Sequence, residues 1–152
     1  MIKLNVVFEK KIINGHVKYI REDGALDFTP MLNSDISLLI SYINIGFDST
    51  QMTANQVWGF APKESWRERK LALPLNIRKG KLVLLDDYEP GTWRLDKKDT
   101  WYTYYDSEQN WLCFGDLKNS SSDTCVEFLE NIVAVLDNDQ HLKSLWIKPN
   151  LI

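Results

Sequence analysis

Trp101-Tyr102-Thr103-Tyr104-Tyr105-Asp106-Ser107-Glu108-Gln109-Asn110-Trp111-Leu112-Cys113-Phe114-Gly115-Asp116 sets two aromatic-rich runs on either side of a short polar segment. That is the pattern of an antiparallel hairpin with a loop of four or five residues. Side chains alternate at a period of two, so Trp101, Thr103 and Tyr105 share one face and Tyr102, Tyr104 and Asp106 the other. Neither face is purely polar. If one is core, the other is a second packed layer or a surface that meets something.

Downstream, Ser120-Ser121-Ser122-Asp123 is a loop leading into Thr124, with Glu127 three residues on in the arrangement of a capping box. Val126, Leu129, Ile132, Val133 and Leu136 then form one apolar stripe at helical spacing, which predicts a helix over 124–137. Leu142 to Ile147 reads as a closing strand. Upstream, Leu71, Leu73, Leu75 and Ile77 alternate up to a turn at Arg78-Lys79-Gly80, and the chain returns as Lys81 to Leu85, while Gln56 to Ala61 is a further strand. Ile36, Leu39, Ile40 and Ile43, behind a cap at Asn33, Ser34 or Asp35, predict a first helix over 34–45. At the N-terminus, Asn14-Gly15 and Asp23-Gly24 predict the turns of a three-stranded meander that gathers Ile2, Leu4, Val6, Phe8, Ile12, Val17, Tyr19, Leu26 and Phe28 on one face. The expectation is a single α+β domain over 1–152, with about eight mostly antiparallel strands and two α-helices.

The composition is that of a folded globular chain, with a formal net charge of −3. The N-terminus has no apolar run of signal-peptide or membrane-span length, so the expected location is cytoplasmic and no membrane contact is expected. Two cysteines, Cys113 and Cys125, are too few for a disulfide framework and are expected to stay unbridged. Charge is unevenly placed. Seven bases fall between Lys63 and Lys81, and eleven acids between Asp86 and Glu130.

Chemistry is hard to find. His16 and His141 lie far apart without partners at ligand spacing, and no nucleophile motif, phosphate loop or Cys-x-x-Cys occurs. The reading is therefore not an enzyme, with no metal and no cofactor. Asp86-Asp87 with Glu89 is the minimal carboxylate pair of a glycosidase, but adjacent acids at a strand end are ordinary turn residues. Trp66-Arg67-Glu68-Arg69-Lys70 combines an aromatic with cations and supplies the alternative of a single-stranded nucleic-acid-binding module. The overall acidity opposes nucleic acid as a partner. A small-ligand-binding or structural domain is the second alternative.

What remains is an aromatic and acidic constellation suited to a protein interface: Asp86, Asp87, Tyr88, Glu89, Trp93, Asp99, Tyr102, Tyr104, Asp106, Glu108 and Trp111. The Leu85 to Glu89 strand end, the Trp101 to Asp116 hairpin and the Thr124 to Leu136 segment give the chain a profile similar to bacterial immunity proteins that neutralise contact-dependent inhibition and related polymorphic toxins. The resemblance implies an antitoxin that binds one cognate toxin domain, a basic nuclease in many cases, and blocks its activity. A monomer is expected, with a dimer as the alternative.

Overall fold

Fifteen strands make up the described part of the chain, residues 2–95 and 101–151 of the computed structural model. β1 (Leu4–Phe8), β2 (His16–Ile20), β3 (Ala25–Thr29), β4 (Ile36–Ile40), β5 (Ile43–Asp48) and β6 (Thr53–Phe60) come first, followed by a 3-10 turn at Lys63–Ser65. β7 (Trp66–Glu68), β8 (Arg78–Leu84) and β9 (Gly91–Arg94) lead to the aromatic hairpin of β10 (Thr103–Asp106) and β11 (Trp111–Gly115). β12 (Thr124–Leu129), β13 (Ile132–Leu136), β14 (Leu142–Ile147) and β15 (Asn150–Leu151) follow. No α-helix occurs among the described residues, so the α+β expectation is corrected to a nearly all-β fold.

Both predicted helices are hairpins, and the reason is the same in each. Ile36, Leu38 and Ile40 are buried at a spacing of two, as are Ile43, Ile45 and Phe47, but the turn between Ile40 and Ile43 shifts the parity. Across that shift Ile36, Ile40 and Ile43 fall at intervals of four and three, which imitates a helical stripe. Ser41 takes the left-handed conformation of the tight turn, with φ 56°. In the 124–137 stretch, β12 and β13 turn at Glu130 and Asn131, and Leu129 and Ile132 again straddle the turn. All five residues of β13 are buried, so no polar face marks the alternation. Glu127 does not complete a capping box. Its carboxylate accepts the Asn131 N–H at 2.9 Å and closes the hairpin instead.

The N-terminal meander is half present. Asp23-Gly24 turns β2 onto β3, pairing Val17 with Phe28 and Tyr19 with Leu26. β1, however, pairs with β8, from Leu4 opposite Leu84 to Phe8 opposite Gly80. Gly15, at φ +150°, serves packing rather than a hairpin, because a Cβ there would lie 2.4 Å from the Phe28 ring. Arg78-Lys79-Gly80 is not a turn either. It lies inside β8, where Gly80 lets the β1 backbone come close.

The strands follow one curled path, β15-β2-β3-β6-β8-β12-β13-β14-β11-β10-β7, with β5, β4 and β9 continuing from β6 as a branch. β8 is the joint. It touches β6 through Thr53 opposite Val83, carries β1 along its C-terminal half, and meets β12 in parallel through Arg78 and Lys79. Curling brings the inner faces of both limbs into one core, with Tyr19, Leu26, Ile45 and Phe47 from one limb and Leu112, Phe114, Val126 and Leu145 from the other.

The outer face of β11 to β14 is apolar too, carrying Cys113, Cys125, Val133, Val135 and Trp146. It is covered by Arg69 to Ile77, the run whose alternating leucines predict a strand and which forms a strap instead. Leu71, Leu73 and Ile77 of the strap pack on that second cluster. Burial holds the thiols of Cys113 and Cys125 above their ordinary pKa, and both cysteines are free.

Replacing Gly80 by Ala would put a Cβ 2.5 Å from the Val7 carbonyl oxygen. Gly80→Ala is therefore expected to part β1 from β8 and cost about 1–3 kcal/mol in urea unfolding. An unchanged midpoint would contradict the register.

Candidate functional site

The aromatic hairpin has one sealed face and one open corner. Tyr105 points into the main core, where Trp66 lies between it and Tyr19, with ring centroids 4.7 and 4.8 Å apart. Burial raises the pKa of the Tyr105 and Tyr19 hydroxyls, and each donates a 2.8 Å hydrogen bond, to Asn110 Oδ1 and to the Ala61 carbonyl. On the other face, half-buried Tyr104 and Trp111 pack against the strapped cluster.

Asp106 ties the two faces together. Its carboxylate is buried and accepts the Leu71 N–H of the strap at 2.9 Å, and the N–H groups of Glu108 and Gln109 at 3.0 and 3.3 Å. The Leu71 N–H, followed by those of Gln109 and Glu108, holds its pKa below the ordinary carboxylate range. Asp106 thus faces the fold rather than a partner.

Tyr102 escapes the strap. It is 44% exposed, and with Tyr42 (71%) and Phe60 (60%) it borders a groove of about 600 Å³ between the β4–β5 turn, the end of β6 and the aromatic hairpin. Ile43, Trp101, Phe114, Ala61 and Pro62 complete its apolar lining, and Arg67 is the one charged lining residue among the described residues. The Arg67 guanidinium lies over the Tyr102 ring, 3.8 Å from its centroid. The parallel pairing of β7 with β10 creates this contact by setting Arg67 opposite Tyr104 and beside Tyr102. Behind the ridge of Trp101 and Tyr102 is a more polar hollow that includes Arg69, Tyr104, Asp116, Asp137 and Lys143.

The remaining predicted site residues are dispersed. Asp86, Asp87 and Glu89 are exposed on the β8–β9 connection, where Tyr88 packs edge-on to Trp93 at 5.2 Å and Trp93 Nε1–H donates to the Glu89 carbonyl. Burial, then the Asp86 charge, raises the Tyr88 pKa. Gly91 pairs with Ile36 at the start of β4, whereas the groove is at the turn after Ile40. The β9 end of this connection therefore lies at the opposite end of β4 from the groove. Glu108 is exposed in the β10–β11 loop, and Asp99 lies outside the described residues.

Two other features bear on chemistry. Trp66 of the basic strand is held in its aromatic stack, with Nε1–H donating to the Ala61 carbonyl at 3.0 Å, so its indole is not free to stack on a base. His141 does come near carboxylates, with ligating atoms of Asp137, Asp139 and His141 within 4.8 Å of one another. Asp137 Oδ1 there accepts the N–H groups of Asp139 and His141 and shapes the β13–β14 turn.

Tyr42 and Phe60 carried no sequence signal as site residues: one is a turn residue between two strands, the other ends a strand, and only tertiary folding sets them opposite Tyr102. No protein-family model matches the chain, and no curated protein matches it.

The Asp106 clamp has a definite pH signature. A carboxyl with a lowered folded pKa stabilises fully above the ordinary value of about 3.9 and loses its effect as pH falls through the lowered one. The strap is expected to hold at neutral pH and to loosen below about pH 4. Asp106→Ala should loosen it at pH 8 and speed reaction of Cys113 with a thiol reagent by roughly tenfold or more, the factor expected on losing a charge-assisted hydrogen bond. Equal rates in the two proteins would count against the clamp.

Proposed function

We propose that this chain is a binding protein of the immunity type, which captures a cognate partner protein and blocks it sterically. What supports the reading is the gathering of three exposed large aromatic side chains, Tyr42, Phe60 and Tyr102, around one groove. A soluble chain seldom leaves such a patch open without use, and tyrosine and arginine are the side chains that most often dominate interface energetics. In this reading the groove seats the partner's anchor residue. The exposed carboxylates Asp86, Asp87, Glu89 and Glu108 contribute at longer range, steering a partner with basic surface. The protein performs no chemistry on what it binds.

The test uses the partner recovered with the full-length chain from its native cells. Tyr102→Ala is expected to weaken its binding by about 2 kcal/mol or more, roughly thirtyfold in Kd, mainly by faster dissociation. Changing Asp86, Asp87 and Glu89 together to Lys should mainly slow association and flatten its salt dependence. An unchanged Kd for Tyr102→Ala would remove the groove as the contact surface.

A further inference from the structure

We infer that the groove selects for an anion: its occupant is a large apolar side chain of the partner with a carboxylate beside it, read by Arg67. This rests on the proposed role of the groove as the partner's anchor site. The lining is apolar apart from Ser41, Ser65, Thr103 and Arg67. Apolar surface rewards a large apolar group, and a volume of about 600 Å³ accommodates one bulky side chain with its neighbours. The charge then decides what stands next to it.

The Arg67 guanidinium carbon lies over the Tyr102 ring, 3.8 Å from its centroid. A guanidinium held over a ring can still present its planar fork of N–H donors to a further partner. Among the described residues no carboxylate forms an ion pair with Arg67, whose own strand neighbour Glu68 is turned away to accept the Ser107 N–H at 3.0 Å. Among the described residues, the Arg67 guanidinium held over Tyr102 at the groove wall has no ion-pair partner. A cationic anchor would be repelled there, and a neutral one would cover the charge without compensating it. A carboxylate can take two parallel hydrogen bonds from the fork, which adds direction to the attraction. In the hollow behind the ridge, the lining holds Asp116 and Asp137 as well as Arg69, and Lys143 is already paired with Asp123 at 2.8 Å. The preference for an anion is thus local to the groove.

The experiment titrates the full chain with two probes of similar apolar body, 1-anilinonaphthalene-8-sulfonate and uncharged N-phenyl-1-naphthylamine, following dye fluorescence. The sulfonate is expected to bind saturably, one per chain. Arg67→Gln should weaken it by roughly tenfold or more while leaving the neutral dye within about threefold. Arg67→Lys, which keeps the charge and loses the fork, should fall between, and it supplies the test if the Gln variant does not fold. Phe60→Ala should weaken both dyes. Equal weakening of the two dyes by Arg67→Gln, or no saturable sulfonate binding, would overturn the inference. Competition separates it from the functional reading: sulfonate binding that depends on Arg67 but is not displaced by the partner would uphold the anion preference and overturn the groove as the anchor site.

Discussion

The hydrogen bond from the Leu71 N–H to the Asp106 carboxylate holds the two-layered half of this fold together. β12, β13 and β14 bury side chains on both faces, and one of those faces has no second sheet to meet. An eleven-strand path that curls in one direction can enclose only one core. The outer cluster around Trp146 must be covered by something else, and the strap supplies apolar side chains without a strand's ladder of hydrogen bonds. Its backbone then needs partners of its own. Asp106 provides one, and the Tyr105 carbonyl another by accepting the Arg69 N–H at 3.0 Å.

That arrangement decides which aromatics of the hairpin remain open. Tyr105 is taken by the main core, and Tyr104 and Trp111 by the strapped cluster. Tyr102 lies just before the start of β10, and β7 pairs alongside that strand to lay Arg67 over it. Across the gap, the β4–β5 turn presents Tyr42 and the end of β6 presents Phe60. The groove thus lies where these elements meet. The proposed binding follows from that geometry: aromatic walls, a cation over Tyr102 and, among the described residues, no acid in the lining.

The sequence made some of this legible and hid the rest for identifiable reasons. The aromatic hairpin, the Asp23-Gly24 turn and the closing strand could be read because strong turn residues or clean alternation mark them. The two hairpins that imitate helices are hidden by two-residue turns that change parity, and in β13 by burial of both faces. The strap was hidden because a leucine at every second position suits an extended segment with or without a ladder. Long-range partners, such as β8 for β1, leave no local trace at all. At the site, Tyr102 was visible as one side of an ambiguous strand. Asp106 reads like a surface acid because nothing in the sequence tells a carboxylate that caps a strap from one that faces water. Tyr42 and Phe60 needed the fold.

The central claim is that the aromatic residues divide into a sealed set and an open set, and hydroxyl-radical footprinting of the free protein measures that division directly. Tyr42, Phe60 and Tyr102 are expected to be modified fast, and Trp146, Tyr19, Phe47 and Tyr105 to be protected. Protection of Tyr42, Phe60 and Tyr102 in the free protein, or modification of Trp146 as fast as Tyr42, would contradict it.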